Sequence, residues 1–375
     1  MINNKTFNAS NPEYNACVGN NGYVDVSTYS EGYKEAVEIL IKKTLVRQTT
    51  LDTIVYPIIY CARHYVELSL KMFIESILKI NFVYDAHFIF PDIKNHSVSF
   101  LWSEIKRIST IDERYEKAII ALDEYVNDYP DIDDSAETFR YPVDHEGHKH
   151  LVDQHCINLL DFSIRFEEMV EKMDEFEALC NSLELEYRVN TTVGCLSRKQ
   201  IREIAKELPN EPWSKATITG PKQKIMAKYG IGSRIFSNVV QKIRTHYEFY
   251  PMIGGEIALP ELSVSELKIF WREYDVVRRD PNFSLPKEYW QYAKVISQKI
   301  SKKAIAALAQ LYDLGYFWYL YCEDYLDGFN TKMKKNKVEL VGDYLIANGI
   351  VKEKIVLGLK KMGQKTLLAS IGYTL

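Results

Sequence analysis

The chain has 375 residues, 46% of them hydrophobic and 26% charged, with a net charge of −4. That length exceeds what one hydrophobic core usually serves, so two or three domains are expected. The near-neutral balance excludes a chain-wide basic field of the kind that marks a general nucleic-acid or membrane binder.

The opening "MINNKTFNASN" lacks an apolar core behind its basic residue, so no signal peptide is expected. The most apolar runs, "TIVYPIIYCA" and "LYDLGYFWYLYC", fall short of the ~20 residues a membrane helix needs. Six scattered cysteines, with no Cys-x-x-Cys pair, argue against a zinc finger or a disulfide framework. They fit reduced thiols, and the expectation is a cytoplasmic protein that does not touch membrane.

Residues 1–30 are rich in Asn, Ser and Gly and read as an irregular tail. From Gly32 to about Tyr187 the apolar spacing predicts five helices, near 32–47, 52–79, 97–108, 112–128 and 149–186. Loops at 80–96 and 129–148 separate them. Between Val189 and Pro260 the pattern changes. "YRVNTTV" reads as a strand, "SRKQIREIAKEL" as a helix capped by Ser197, and "EFYPMIGGEIALP" as a hairpin turning on Gly254-Gly255. From Glu261 to the end the chain reads as helical and aromatic. The aromatic run near 311–326 is expected to pack against another helix or a second copy rather than to stack bases. "KMKKNK", 332–337, reads as a solvated basic loop.

The helix "TIVYPIIYCARHYVELSLKMFIESIL" carries Arg63, Glu67, Lys71 and Glu75 within an arc of about 120°, which also takes in Tyr60 and His64. The rest of its circumference is apolar apart from two serines. A solvated strip of i,i+4 ion pairs is one reading. The other is a cleft wall in which Glu67 holds Arg63 or His64. A guanidinium suits phosphate and an imidazole suits proton transfer near neutral pH.

"RHYVELSLK", "NHSVSFLWSEI" and "DDSAETFRYPVD" together resemble the N-terminal region of uncharacterised bacterial proteins with HEPN-like helical domains. "ALAQLYDLGYFWYLYCEDY" is similar to the companion region of such proteins. The resemblance implies a metal-independent endoribonuclease of a bacterial anti-phage or toxin system, acting as a homodimer, with a phage or antitoxin protein as a further partner. In HEPN ribonucleases an Arg-x(4–6)-His element on a helix supplies arginine for the phosphate and histidine for the proton. Arg140 to His145 has that spacing, although Pro142 lies inside it, where a helix interior would lose a hydrogen bond. The expected catalytic group is Arg63, His64, Glu67, His96, Arg140 and His145. The Phe139-Arg140-Tyr141 island is expected to dock on the helical core and bring Arg140 to the polar strip.

No metal and no cofactor are expected. His145 and His148 span Gly147, His150 and His155 point to different faces, and His148 and His155 stand about 10 Å apart along a helix. The segment 138–151 reads instead as a structured loop delivering one arginine.

Between Leu196 and His246 eleven Lys and Arg face three acids, a charge of +8 in 51 residues. That segregation is the electrostatic footprint of a phosphate-binding module. "QKIMAKYGIGSRIFSNVVQKI" resembles a helix-turn-helix, with Gly230 at the turn, Ile231 beneath it, and a wing expected from the Gly-Gly hairpin. Lys224, Lys228, Ser233, Arg234, Asn238 and Arg244 are the candidate contacts to RNA or DNA.

The expected fold class is mainly α: an irregular tail (1–30), a HEPN-like helical domain (31–187), a small winged helix-turn-helix-like α/β segment (188–260) and an aromatic helical region (261–375). Besides the ribonuclease, two alternatives stand. One is a non-catalytic nucleic-acid-binding regulator; the other is a structural or sensor subunit of a defence complex.

Overall fold

The computed structural model describes residues 6–9, 11–19, 21–22, 24–84, 91–281, 283 and 286–375. Parts of the tail read over 1–30 and of the loop read over 80–96 lie outside these residues. The protein is mainly helical, and among the described residues no strand forms. The strand at 187–193, the hairpin at 248–260 and the wing built on it are therefore corrected. Backbone contacts divide the chain into two compact units, 1–184 and 185–375. The segments read as 188–260 and 261–375 share the second.

In the first unit, α1 (Val26–Leu45) begins six residues before the expected start, because Asp25 caps it by accepting from Thr28 N at 3.1 Å. Next come α2 (Leu51–Tyr84), α3 (Val98–Ile108), α4 (Arg114–Asn127), the single turn α5 (Pro130–Asp133) and α6 (Leu159–Arg188), most of which belongs to this unit. The core gathers on α2. Its Ile58, Ala62, Val66, Leu70, Phe73 and Ile77 are buried, and Phe73 and Tyr65 meet Phe176 and Phe166 of α6.

The long final helix expected from 149 starts only at Leu159. Residues 142–150 close instead into a tight loop on the bridge Val143–Lys149. Asp144 organises it, its carboxylate accepting from the backbone N–H of Glu146 and His148 at 2.8 and 2.9 Å, while Gly147 takes φ 88°.

The second unit holds two hydrophobic clusters. The first belongs to α7 (Arg198–Glu207), α8 (Lys215–Tyr229) and α9 (Ser233–Arg244), and includes Ile201, Ile204, Ile225, Phe236, Val239 and Ile243. Ser197 caps α7 in a reciprocal box with Gln200. Gly230 ends α8 at φ 62° and Ile231 is buried beneath the turn. The second cluster is built by α10 (Val264–Arg279), α11 (Pro286–Lys299), α12 (Lys302–Tyr316), α13 (Tyr325–Met333), the short α14 (Lys337–Leu340), α15 (Val351–Lys361) and α16 (Lys365–Ser370).

Every residue of α12 from Ala304 to Tyr312 is buried, as befits a helix that is small or apolar all round. Here α12 and α15 touch backbone to backbone. A methyl on Gly315 would overlap the Lys354 carbonyl, and one on Gly358 the Leu311 carbonyl. Alanine at either position is expected to cost about 1–3 kcal/mol, because neither obstacle is a side chain that can move away. A urea midpoint equal to wild type in Gly358→Ala would contradict this close approach.

Lys332 is buried rather than solvated: it forms an ion pair with Asp313 and lies 4.2 Å from the centre of the Tyr344 ring.

Candidate functional site

The centre of the polar strip of α2, Arg63 and Glu67, does not face water. Arg63 is 0% exposed and Glu67 1%. Arg63 donates from Nη1 to Glu67, from Nε to the Asp133 carbonyl at 3.2 Å, and from Nη2 to the carbonyls of His96 and Asp134. One guanidinium thus ties α2 to the start of α3 and the end of α5. Asp134 completes the junction by accepting from Ser97 Oγ and Ser99 N at 2.7 and 2.8 Å. With four of its five N–H groups on main-chain oxygens and Glu67, and no exposed surface, Arg63 acts as a structural clamp in this fold.

What reaches water is the flank of the strip. Glu67 Oε1 accepts from Lys71 Nζ at 2.7 Å and lies 2.7 Å from His96 Nδ1; Oε2 lies 3.8 Å from His64 Nδ1. Two imidazoles therefore share one buried carboxylate. The side chain of His64 is 23% exposed and that of His96 68%. Burial works to raise the Glu67 pKa, but His64, Lys71, Arg63 and His96 outweigh it and hold the carboxyl well below the usual range. His64 is wedged between two phenols: Tyr33 of α1 meets it edge-on at 4.4 Å and Tyr60 stacks on it at 6.0 Å.

Arg140 approaches from the Phe-Arg-Tyr island. Phe139 is buried and 6.2 Å from the Tyr56 ring, while Arg140 is exposed and donates to the Ala136 carbonyl. Its guanidinium lies 5.9 Å from Tyr60, on which His64 stacks. Ala136 adopts φ 66°, a left-handed conformation that strains an alanine, and it turns the chain that presents Arg140. His145 sits on the exposed Asp144 loop, 4.0 Å from Glu146, and among the described residues no contact joins it to Glu67. The spacing from Arg140 to His145 spans a loop, so the pair lacks the helical setting of the HEPN element.

In the second unit the exposed face of α9 carries Ser233, Arg234, Ser237, Asn238 and Gln241, opposite the buried Phe236, Val239, Val240 and Ile243. Lys224 of α8 is also exposed. Two of the expected contacts are already neutralised: Lys228 pairs with Glu207 at 2.5 Å and Arg244 with Glu211 at 2.5 Å.

One polar cluster escaped the sequence reading. His246, Cys322 and Glu323 offer ligand atoms within 4.8 Å of one another, and Arg198 spans Glu323 and Glu248 at 2.8 and 2.5 Å. His246 lies 76 residues before the adjacent Cys322 and Glu323, so no spacing signal joined them. The donor set does not suit a metal or a nucleophile. His246 Nδ1 accepts from Phe249 N at 3.3 Å, so the proton is on Nε2, which faces Glu323 at 2.8 Å. A metal at Nε2 would push that proton into the Phe249 N–H, and Arg198 already occupies Glu323. The Cys322 thiol is pushed well up by burial and the adjacent Glu323, the reverse of an activated cysteine.

No family model, no curated protein and no solved structure matches the chain. Among the described residues no helix is long and apolar enough to cross a membrane.

Proposed function

We propose that the first unit cleaves RNA without a metal, using His64 and His96 as its proton-transfer pair. The observation that carries this reading is the pair of water-accessible imidazoles on one buried carboxylate, with an exposed arginine beyond Tyr60. One imidazole takes the proton of a ribose 2′-hydroxyl as its oxygen bonds to phosphorus. The other gives a proton to the departing 5′-oxygen, leaving a 2′,3′-cyclic phosphate and a 5′-hydroxyl. Arg140 binds the non-bridging phosphate oxygens, and Glu67 orients both rings without touching substrate. The resemblance to HEPN-like proteins supplies the wider reading, a homodimeric effector of a bacterial defence or toxin system, while the His64 and His96 pair proposed for the chemistry lies outside that family's Arg-x(4–6)-His element.

Purified protein incubated with single-stranded RNA in EDTA is expected to release fragments ending in cyclic phosphate. Intact RNA, or cutting that EDTA abolishes, would count against the proposal.

A second reading, a nucleic-acid-binding role for the second unit, is favoured by the polar α9 face. Arginine, asparagine and glutamine on one helix face are the side chains that read base edges. Arg234→Glu with Lys224→Glu is expected to weaken duplex binding at least ~10-fold and to flatten the salt dependence by about one unit of slope for each phosphate no longer neutralised. Electrophoretic mobility shifts at two salt concentrations measure both. An unchanged Kd would remove α9 from the interface.

A further inference from the structure

Within the second unit, the start of α7 and the end of α15 border a cavity of about 450 Å³. That volume is within the range of small-molecule sites. Four cations line it, Arg198, Arg202, Lys360 and Lys361, against one acidic side chain, Glu248.

Glu248 is committed to the arginines: it accepts from Arg202 Nε at 2.7 Å and lies 2.5 Å from Arg198 Nη2. Neither lysine has a carboxylate. Among the described residues Lys361 donates only to the carbonyls of Phe317 and Leu320, at 3.2 and 2.9 Å, and burial draws its pKa down. Lys360 is exposed and, among the described residues, makes no hydrogen bond or ion pair. Glu323, which also binds Arg198, and the carboxylate at Leu375, which borders the space unpaired, still leave the cations in excess.

Arg198 supplies a donor that is fixed yet open. It is 6% exposed, and its guanidinium lies 4.6 Å from the Tyr321 ring and 5.1 Å from Phe249. Its Nε and Nη2 are spent on Glu323 and Glu248, whereas Nη1 has no hydrogen-bond partner among the described residues and is not sealed. A guanidinium already held in place loses little further freedom on meeting an oxyanion. The remaining wall offers a flat ring. In the aromatic run Tyr312 is buried, but Trp318 is 73% exposed and lines the cavity. Among the described residues no ring stacks on it, Tyr319 meeting it at 86°. Open cations beside an open indole match a phosphate joined to a base.

We propose that this cavity binds a mononucleotide, its phosphate held by Arg198, Lys360 and Lys361 and its base stacked on Trp318. The proposal uses none of the residues assigned to RNA cleavage or to the α9 face, and it stands whether or not the protein cuts RNA.

The test is isothermal titration calorimetry of the full chain with adenosine monophosphate, alongside adenosine and inorganic phosphate as its two halves. Saturable binding of the nucleotide is expected, about tenfold or more tighter than either half. Lys360→Glu, at an exposed position without partners, is expected to weaken the nucleotide about tenfold. Trp318→Ala, also exposed, is expected to weaken the nucleotide about tenfold and to leave phosphate binding as it was. Both variants spare the core, so their melting curves should match wild type. Equal binding of nucleotide and adenosine, equal binding of nucleotide and phosphate, a nucleotide affinity unchanged by either variant, or no saturation up to ~10 mM would overturn the proposal.

Discussion

Glu67→Ala is expected to destabilise the first unit by about 3–5 kcal/mol, the cost of leaving a buried charge without its partner. Arg63 would keep three main-chain oxygens but lose the carboxylate it is hydrogen-bonded to, at 0% exposure. Because α2, α3 and α5 meet on that guanidinium, the loss should appear as a cooperative drop in the urea midpoint and not as local fraying. The paired replacement Arg63→Met with Glu67→Leu should recover only part of it: the apolar pair removes the buried charges but takes away the donor that the carbonyls of His96, Asp133 and Asp134 now share. An unaltered midpoint in Glu67→Ala would show that the network contributes little.

The same carboxylate predicts an acid limit. In the unfolded chain Glu67 takes up a proton near its ordinary pKa of 4.5, whereas in the folded chain it stays ionised well below that. Its contribution to stability is therefore complete above that pH and lost as the pH falls further. Glu67→Gln should flatten this part of the stability profile.

His64→Ala and His96→Ala carry the second large effect. Each is expected to lower RNA cleavage by about 10²–10⁴-fold, the usual worth of a general acid or base. The fold should be preserved, because neither imidazole is a core residue. His96 anchors the network through its main-chain carbonyl, which alanine retains. A structural role would lower stability and leave the cleavage rate per folded molecule unchanged, so rates and melting curves taken together separate the two.

Much of the scaffold was legible in the chain. The apolar periodicity of α2, the Ser197 cap and the Gly230 turn each follow from local chemistry and fall where expected. Misread features depend on what the rest of the chain does. Arg63, Glu67 and Lys71 at i,i+4 look alike whether water or protein covers them, and only the carbonyls of His96, Asp133 and Asp134 decide the outcome. Gly254-Gly255 reads as a hairpin turn, yet Gly255 is small because the Tyr250 ring packs against it. The segment before Leu159 has helix-like spacing, but Asp144 and Gly147 divert its start into a loop. The polar strip and the Phe-Arg-Tyr island led to the expectation that Arg63, His64 and Arg140 converge, with His96 beside them; that one carboxylate, Glu67, lies against both histidines was not expected.

The pH dependence of RNA cleavage in EDTA tests the central claim most directly, measured for wild type, His64→Ala and His96→Ala. A bell is predicted for wild type, as one imidazole must be neutral and the other protonated, with each variant losing one limb. A wild-type bell that persists in both variants, or RNA that stays intact across the range, would contradict it.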